Sequence, residues 1–173
     1  IGGTDKMSSD VPIGLYRTYA KLLDGDEFNY ENWCRAVRAG RTFLSGGPMI
    51  GITVEGYEIG ETISLPGPGT VEVQAWSESI FPINRLEIIQ EGRVVAVAES
   101  SEPTRRLELK EHIKIKKHTW LAARSGGPNY FTEGNFNSTQ ESWDRPKAAT
   151  ASILNTHFDS WRRGIFAHTS PIY

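Results

Sequence analysis

From Met49 onward the apolar residues recur at every second position, and that period constrains the fold more than any other feature of the chain. Ile50, Ile52 and Val54 alternate with small or polar residues, as do Val71, Val73 and Ala75. Period-two alternation is the mark of strands with one buried face. Arg85 to Gln90 and Arg93 to Ala98 flank Glu91-Gly92 and form the clearest hairpin. Leu107 and Leu109, then Ile113 and Ile115, continue the alternation, and Thr119 to Arg124 supplies a further strand. Pro66-Gly67-Pro68-Gly69 punctuates the series. Six or seven short strands with such turn signals predict a mainly β chain, an antiparallel immunoglobulin-like β-sandwich over residues 48–173. The Cys-Trp-Cys hallmark of antibody domains is absent, since Cys34 is the single cysteine. No intrachain disulfide can form.

Before this region the period differs. Tyr30 to Ala39 reads as a short helix, with Asn29 as N-cap and Gly40 as the stop. Phe28 and Trp33 suit a hydrophobic staple, and Tyr30, Trp33 and Val37 share one face. Arg41 to Leu44 is extended, and Ser45-Gly46-Gly47-Pro48 breaks the chain. Residues 1–47 therefore read as the tail of one domain plus a connecting helix. A short extended piece is expected near Leu15 to Tyr19. The chain reads as starting mid-protein and ending on a strand cut short.

Residues 126–164 interrupt the strand rhythm. They are rich in Gly, Asn, Ser and Thr, yet carry Tyr130, Phe131, Phe136, Trp143, Phe158 and Trp161. Such an aromatic content predicts a long excursion packed on the body rather than a linker, with a short helix near Ala148 to Asn155. Gly164 to Tyr173 returns to strand character and is expected at a sheet edge.

Formal net charge is -2, and the cations are scattered. That excludes the basic face a nucleic-acid partner requires. The run Lys110 to Lys117 is broken by Glu111, Ile113 and Ile115 and reads as the solvated face of a strand. No apolar run reaches membrane-spanning length, so no membrane partner is expected. Cytoplasmic, periplasmic and secreted locations are all compatible with the composition.

Candidate chemistry is sparse. Asp5 directly follows Gly-Gly-Thr at what reads as a strand end, where α/β barrels place catalytic and metal-binding groups. Asp10, His157 and His168 are the other plausible ligands, but no His-x-His or HExxH spacing is present. His112 and His118 flank a basic strand and read as structural. Arg17, Arg35, Arg38 and Arg41 could gather an anion, but salt bridging and stem packing are the expected use. Trp76, Trp143 and Trp161 could form a sugar platform, although aromatics in strands are more often core.

The order of four segments resembles one known family. Trp33 to Gly56 (WCRAVRAGRTFLSGGPMIGITVEG) is similar to the C-terminal part of carbaryl-hydrolase-like (CehA/McbA-type) members of the PHP metallohydrolase superfamily. Gly3-Thr4-Asp5, Arg85 to Ile89 with Gly92, and Ala167 to Tyr173 resemble further pieces of that family in the same order. The resemblance implies that residues 1–47 are the tail of a metal-dependent PHP-type β/α barrel. In such proteins the barrel binds divalent metal ions (of the Zn, Mn or Fe class) and hydrolyses esters or phosphoesters. By this resemblance Asp5 is the last barrel ligand. Lys6 stands where a second ligand would be, and the upstream histidine-rich motifs are missing. One carboxylate cannot supply a coordination shell, so the chain alone is expected to be inactive. The implied partners are the N-terminal barrel portion of the same protein and a small-molecule ester or phosphoester. The competing expectation is a non-enzymatic immunoglobulin-like binding module for carbohydrate or protein.

Overall fold

A computed structural model of the protein describes residues 1–4, 13–14, 16–127 and 165–173. These residues form β1 (Arg17–Ala20), α1 (Tyr30–Arg38), β2 (Thr42–Ser45), β3 (Met49–Val54), β4 (Tyr57–Glu58), β5 (Gly69–Gln90), β6 (Arg93–Ile115), β7 (Leu121–Gly126) and β8 (Phe166–Thr169). Every strand pairing among them is antiparallel. Among the described residues the chain is mainly β with one short helix, and the β character is what the alternation predicts.

Two strands are far longer than expected. β5 runs for 22 residues and β6 for 23, where several short strands were anticipated. The β5–β6 ladder slips register between Glu78 and Ile83 and again between Ile83 and Arg85. Pro82 lies in this stretch and has no N–H to give to a ladder. The break therefore becomes a bulged bend within one strand rather than a turn between two.

That bend divides the sheet into two arms. In arm one, Val73 to Glu78 of β5 pairs with β3, and β4 lies beyond. In arm two, Arg85 to Gln90 pairs with β7, and β8, β2 and β1 follow in that order. β6 accompanies β5 through both. Alternation sends Ile52, Val54 and Val73 of arm one, and Leu86, Ile88 and Ala123 of arm two, into a single apolar cluster. β3 packs against β7 and β8, to which it is not hydrogen-bonded. The arms thus face one another across one core.

β8 is not at an edge. It is paired on one side to β2 and on the other to β7. Ala167 and Thr169 are buried, so their backbone groups need partners within the protein, and an interior place in the sheet provides them. Thr169 Oγ1 also accepts from the Ala123 N–H at 3.0 Å, and the Thr42 and Ser170 hydroxyls meet at 2.7 Å.

The helix starts as read. Asn29 caps it, its side chain accepting from the Asn32 N–H at 2.9 Å. The staple does not form, because Phe28 is 91 % exposed. Ala36 is the residue of α1 that is buried, and Tyr30 lies open. Gly40 ends the helix at φ 70°, donating to the Val37 carbonyl. The hairpin at Glu91-Gly92 is also as read: both residues have positive φ and Gln90 faces Arg93, the geometry of a primed turn. The excursion over 126–164 lies outside the described residues from 128 onward.

Gly60 joins the helix end to the loop after β4. Its φ is 83°, and a Cβ there would sit 2.4 Å from the Ala39 carbonyl oxygen and 2.9 Å from the Arg41 nitrogen. Both contacts are with backbone, which cannot swing aside. Gly60→Ala is expected to lower stability by about 2 kcal/mol or more in urea unfolding, with the slope of the transition unchanged.

Candidate functional site

The face of arm two opposite the core carries a single registered row of side chains. Val97 is opposite Glu87, Glu87 opposite Arg124, and Arg124 opposite His168. His168 is opposite Leu44, and Leu44 opposite Thr18. Register places them all on one face. The chain start lies along the far end of this row: Gly2 exchanges hydrogen bonds with the Thr18 hydroxyl, each 2.8 Å long. Thr4 Oγ1 contacts the Tyr16 backbone.

Glu87 is the polar centre of the row. It lies on the face away from the core, yet it is 1 % exposed. A carboxylate buried to that degree needs ionic partners. Arg85, two residues earlier on the same face, donates from Nε at 2.7 Å. Arg124 donates from its own Nε to the other carboxylate oxygen. Arg85 also reaches Glu99 on β6 at 3.1 Å. The Glu87 hydrogen bond, opposed by partial burial, holds the Arg85 guanidinium pKa above its usual value. So engaged, Glu87 serves as a clamp between β5 and β7 rather than as a free base.

His168 keeps solvent access on one side. The surrounding walls desolvate its ring and push its pKa below the ordinary value; the Arg124 charge acts in the same direction, against a weak contact with the Thr169 carbonyl. At neutral pH the imidazole is uncharged. Beside it opens a groove of about 460 Å³ walled by Phe166, Trp120, Ile89 and Ala122. Phe166 is backed by the Tyr16 ring at 5.3 Å, and burial raises the Tyr16 phenol pKa. The groove offers one cation, one neutral imidazole and aromatic walls, a set suited to holding a small polar molecule.

The other residues singled out in the sequence fall elsewhere. Asp5, Asp10, His157, Trp143 and Trp161 lie outside the described residues. His112 is on exposed β6, and His118 follows it. Arg35 pairs with Asp26, and Arg41 with Glu58 at 3.5 Å, so these two are engaged by carboxylates on separate elements. Cys34 is half-buried on α1. Trp76 lies over Gly51, where a Cβ would come within 2.5 Å of its indole nitrogen. Among the described residues, no group of three His, Cys, Asp or Glu side chains could hold a metal ion.

Arg85, Glu87 and Arg124 were not recognised as a unit from sequence alone. The usable signal was Arg-x-Glu in an alternating strand, which puts both side chains on one face. Nothing in the sequence pairs Arg124 with them. No family model, curated protein or solved structure matches the chain.

Two outcomes follow from this geometry. Glu87→Gln leaves two guanidiniums facing a neutral amide and is expected to cost about 3 kcal/mol, the low end for a broken buried pair because both arginines retain some solvent. Chemical denaturation measures it. For His168 the folded pKa is the lower one, so its contribution is fully present above the unfolded value of about 6.5 and is lost as pH falls through the folded value. The melting temperature of the native chain should therefore fall more steeply between about pH 7 and pH 5 than that of His168→Asn.

Proposed function

We propose that this chain is the C-terminal supporting region of a PHP-type metal-dependent hydrolase and is not catalytic by itself. The observation that carries the reading is where the family-like segments lie. Parts of them, far apart in sequence, are neighbours in arm two, while Met49–Val54 of the first segment is β3 in arm one. Gly2 to Thr4 is fastened to Thr18 and Tyr16 beside β1. Arg41 to Leu44 runs into β2, Ala167 to Thr169 lies in β8 next to it, and Arg85 to Ile89 is the part of β5 that pairs with β7. Four pieces that resemble one family thus lie together in arm two, with α1 and β3 of the first segment outside that stretch. Thr4, immediately before Asp5, is anchored to that stretch through Tyr16.

In this reading the fold is an immunoglobulin-like β-sandwich, supported by the shared core of the two arms. Asp5 is the single metal ligand assigned here, and a carboxylate is a suitable oxygen donor for a divalent ion of the Zn, Mn or Fe class. The remaining ligands belong to the barrel portion of the parent. The metal, when bound, would supply an activated water for attack on an ester or phosphoester. The role of this chain in this reading is mechanical, and the anchoring of Gly2 and Thr4, which precede Asp5 in the sequence, supports it. The chain reads as having neither nucleic acid nor membrane as partner; no helix among the described residues is long and apolar enough to cross a membrane.

The test uses the full-length parent with and without Asp5→Ala. The expected result is loss of stoichiometric divalent metal and a fall in esterase rate of about 100-fold or more. Unchanged metal content and rate would falsify the assignment.

A further inference from the structure

The outward face of arm one carries one large aromatic side chain. Val73, Ala75 and Ser77 of β5 turn inward and are buried, so Gln74, Trp76 and Glu78 turn to solvent. Trp76 is 42 % exposed. It stands opposite Gly51 of β3 on one side and opposite Glu108 of β6 on the other. Its indole fills the space that any side chain at position 51 would take, so the ring is seated against β3. Among the described residues it stacks on no other ring.

Both signs of charge stand around the indole, each held by the other. Arg106 donates to Glu108 at 2.7 Å and to Glu78 at 3.2 Å. Along β5 in the opposite direction, Glu72 accepts from Lys110 at 2.8 Å and from the Gln74 amide at 2.6 Å. Exposed pairs of this kind add little stability. They do fix donors and acceptors on either side of an apolar ring. An anion over Trp76 would meet Glu108, and a cation would meet Arg106. A protein partner would have to dehydrate ion pairs at the centre of its footprint, where interfaces are depleted of charge. A neutral polyol meets none of these penalties, because each hydroxyl both donates to carboxylates and accepts from cations and amides.

We propose that Trp76 is the platform of a binding site for a neutral, β-linked glucopyranose chain. Such a sugar ring carries its hydroxyls around the rim and presents C–H groups on both faces. One face would cover the indole, and the apolar area removed from water supplies the main attraction. The rim hydroxyls would reach Glu108 and Gln74, on opposite sides of the ring. The site belongs to arm one rather than to the Glu87 row of arm two. It stands whether or not the chain belongs to a metallohydrolase.

The experiment is calorimetric titration of the whole chain with cellohexaose. Saturable binding with a dissociation constant of about 1 mM or below is expected. Because the ligand is neutral, the affinity should be the same at about 0.05 M and about 0.5 M salt. Trp76→Ala should abolish binding, and Trp76→Tyr should restore part of it, with the melting temperature of each variant as the folding check. Gln74→Ala leaves the indole in place and removes one rim amide, so it should weaken binding without abolishing it. Absence of saturable binding overturns the proposal. So does binding that Trp76→Ala leaves intact in a folded chain, or binding that falls steeply with salt. Self-association in sedimentation that Trp76→Ala removes would assign this face to a second copy and overturn it as well.

Discussion

Everything else in the molecule depends on the backbone ladder of β5. Its 22 residues pair with β6 on one edge and successively with β3 and β7 on the other. A strand shared in this way turns what would be two separate sheets into one bent one. The bend at residues 78–85 is what allows the side chains of the two arms to meet. Without the irregularities there, alternation would send Val73 and Ile88 to opposite faces of one strand, and they could not share a core. Both are fully buried. The loss of ladder bonds at the bulges is offset by the apolar surface that the two arms remove from water together.

The parts of the fold legible in the sequence were those fixed by short-range chemistry. Asn29 and Gly40 bracket the helix because a side-chain oxygen and a left-handed φ are needed at those ends, and few residues provide them. Glu91-Gly92 marks its hairpin for the same reason. The alternation of Val71, Val73 and Ala75 exposed the inward face of β5. What could not be read was continuity. Pro82 reads as a strand breaker, yet the ladder with β6, interrupted after Glu78, resumes at Ile83 and the strand runs on. Phe28 misled for a related reason: a staple needs a partner within reach, and spacing alone does not provide contact. The interior place of β8 is a matter of tertiary pairing, which local pattern does not encode.

The candidate site divides along the same line. Arg85 and Glu87 are two apart on a strand, so their shared face is a local fact. Their union with Arg124 depends on the β5–β7 register and is non-local. The His168 environment is likewise set by neighbours from β7, β2 and the chain start. Sequence reasoning centred on a carboxylate and on metal-ligand spacing. The described residues emphasise instead a neutralised carboxylate that locks strand to strand, and beside it a small aromatic-walled groove.

The place of β8 has a consequence for how the chain can be made. Thr42 and Ser170, whose hydroxyls meet across β2 and β8, are separated by 128 residues. β2 and β7 are therefore synthesised long before the strand that joins them. Until β8 arrives, each carries an edge of unpaired amides facing an empty slot about one strand wide. Closing that slot joins partners with the longest sequence separation in the described fold, a pairing with a high loop-closure entropy. An interrupted chain lacking its last segment would keep the β5–β6 hairpin and arm one, but arm two would remain open to any extended strand able to fill the gap, including one from another copy.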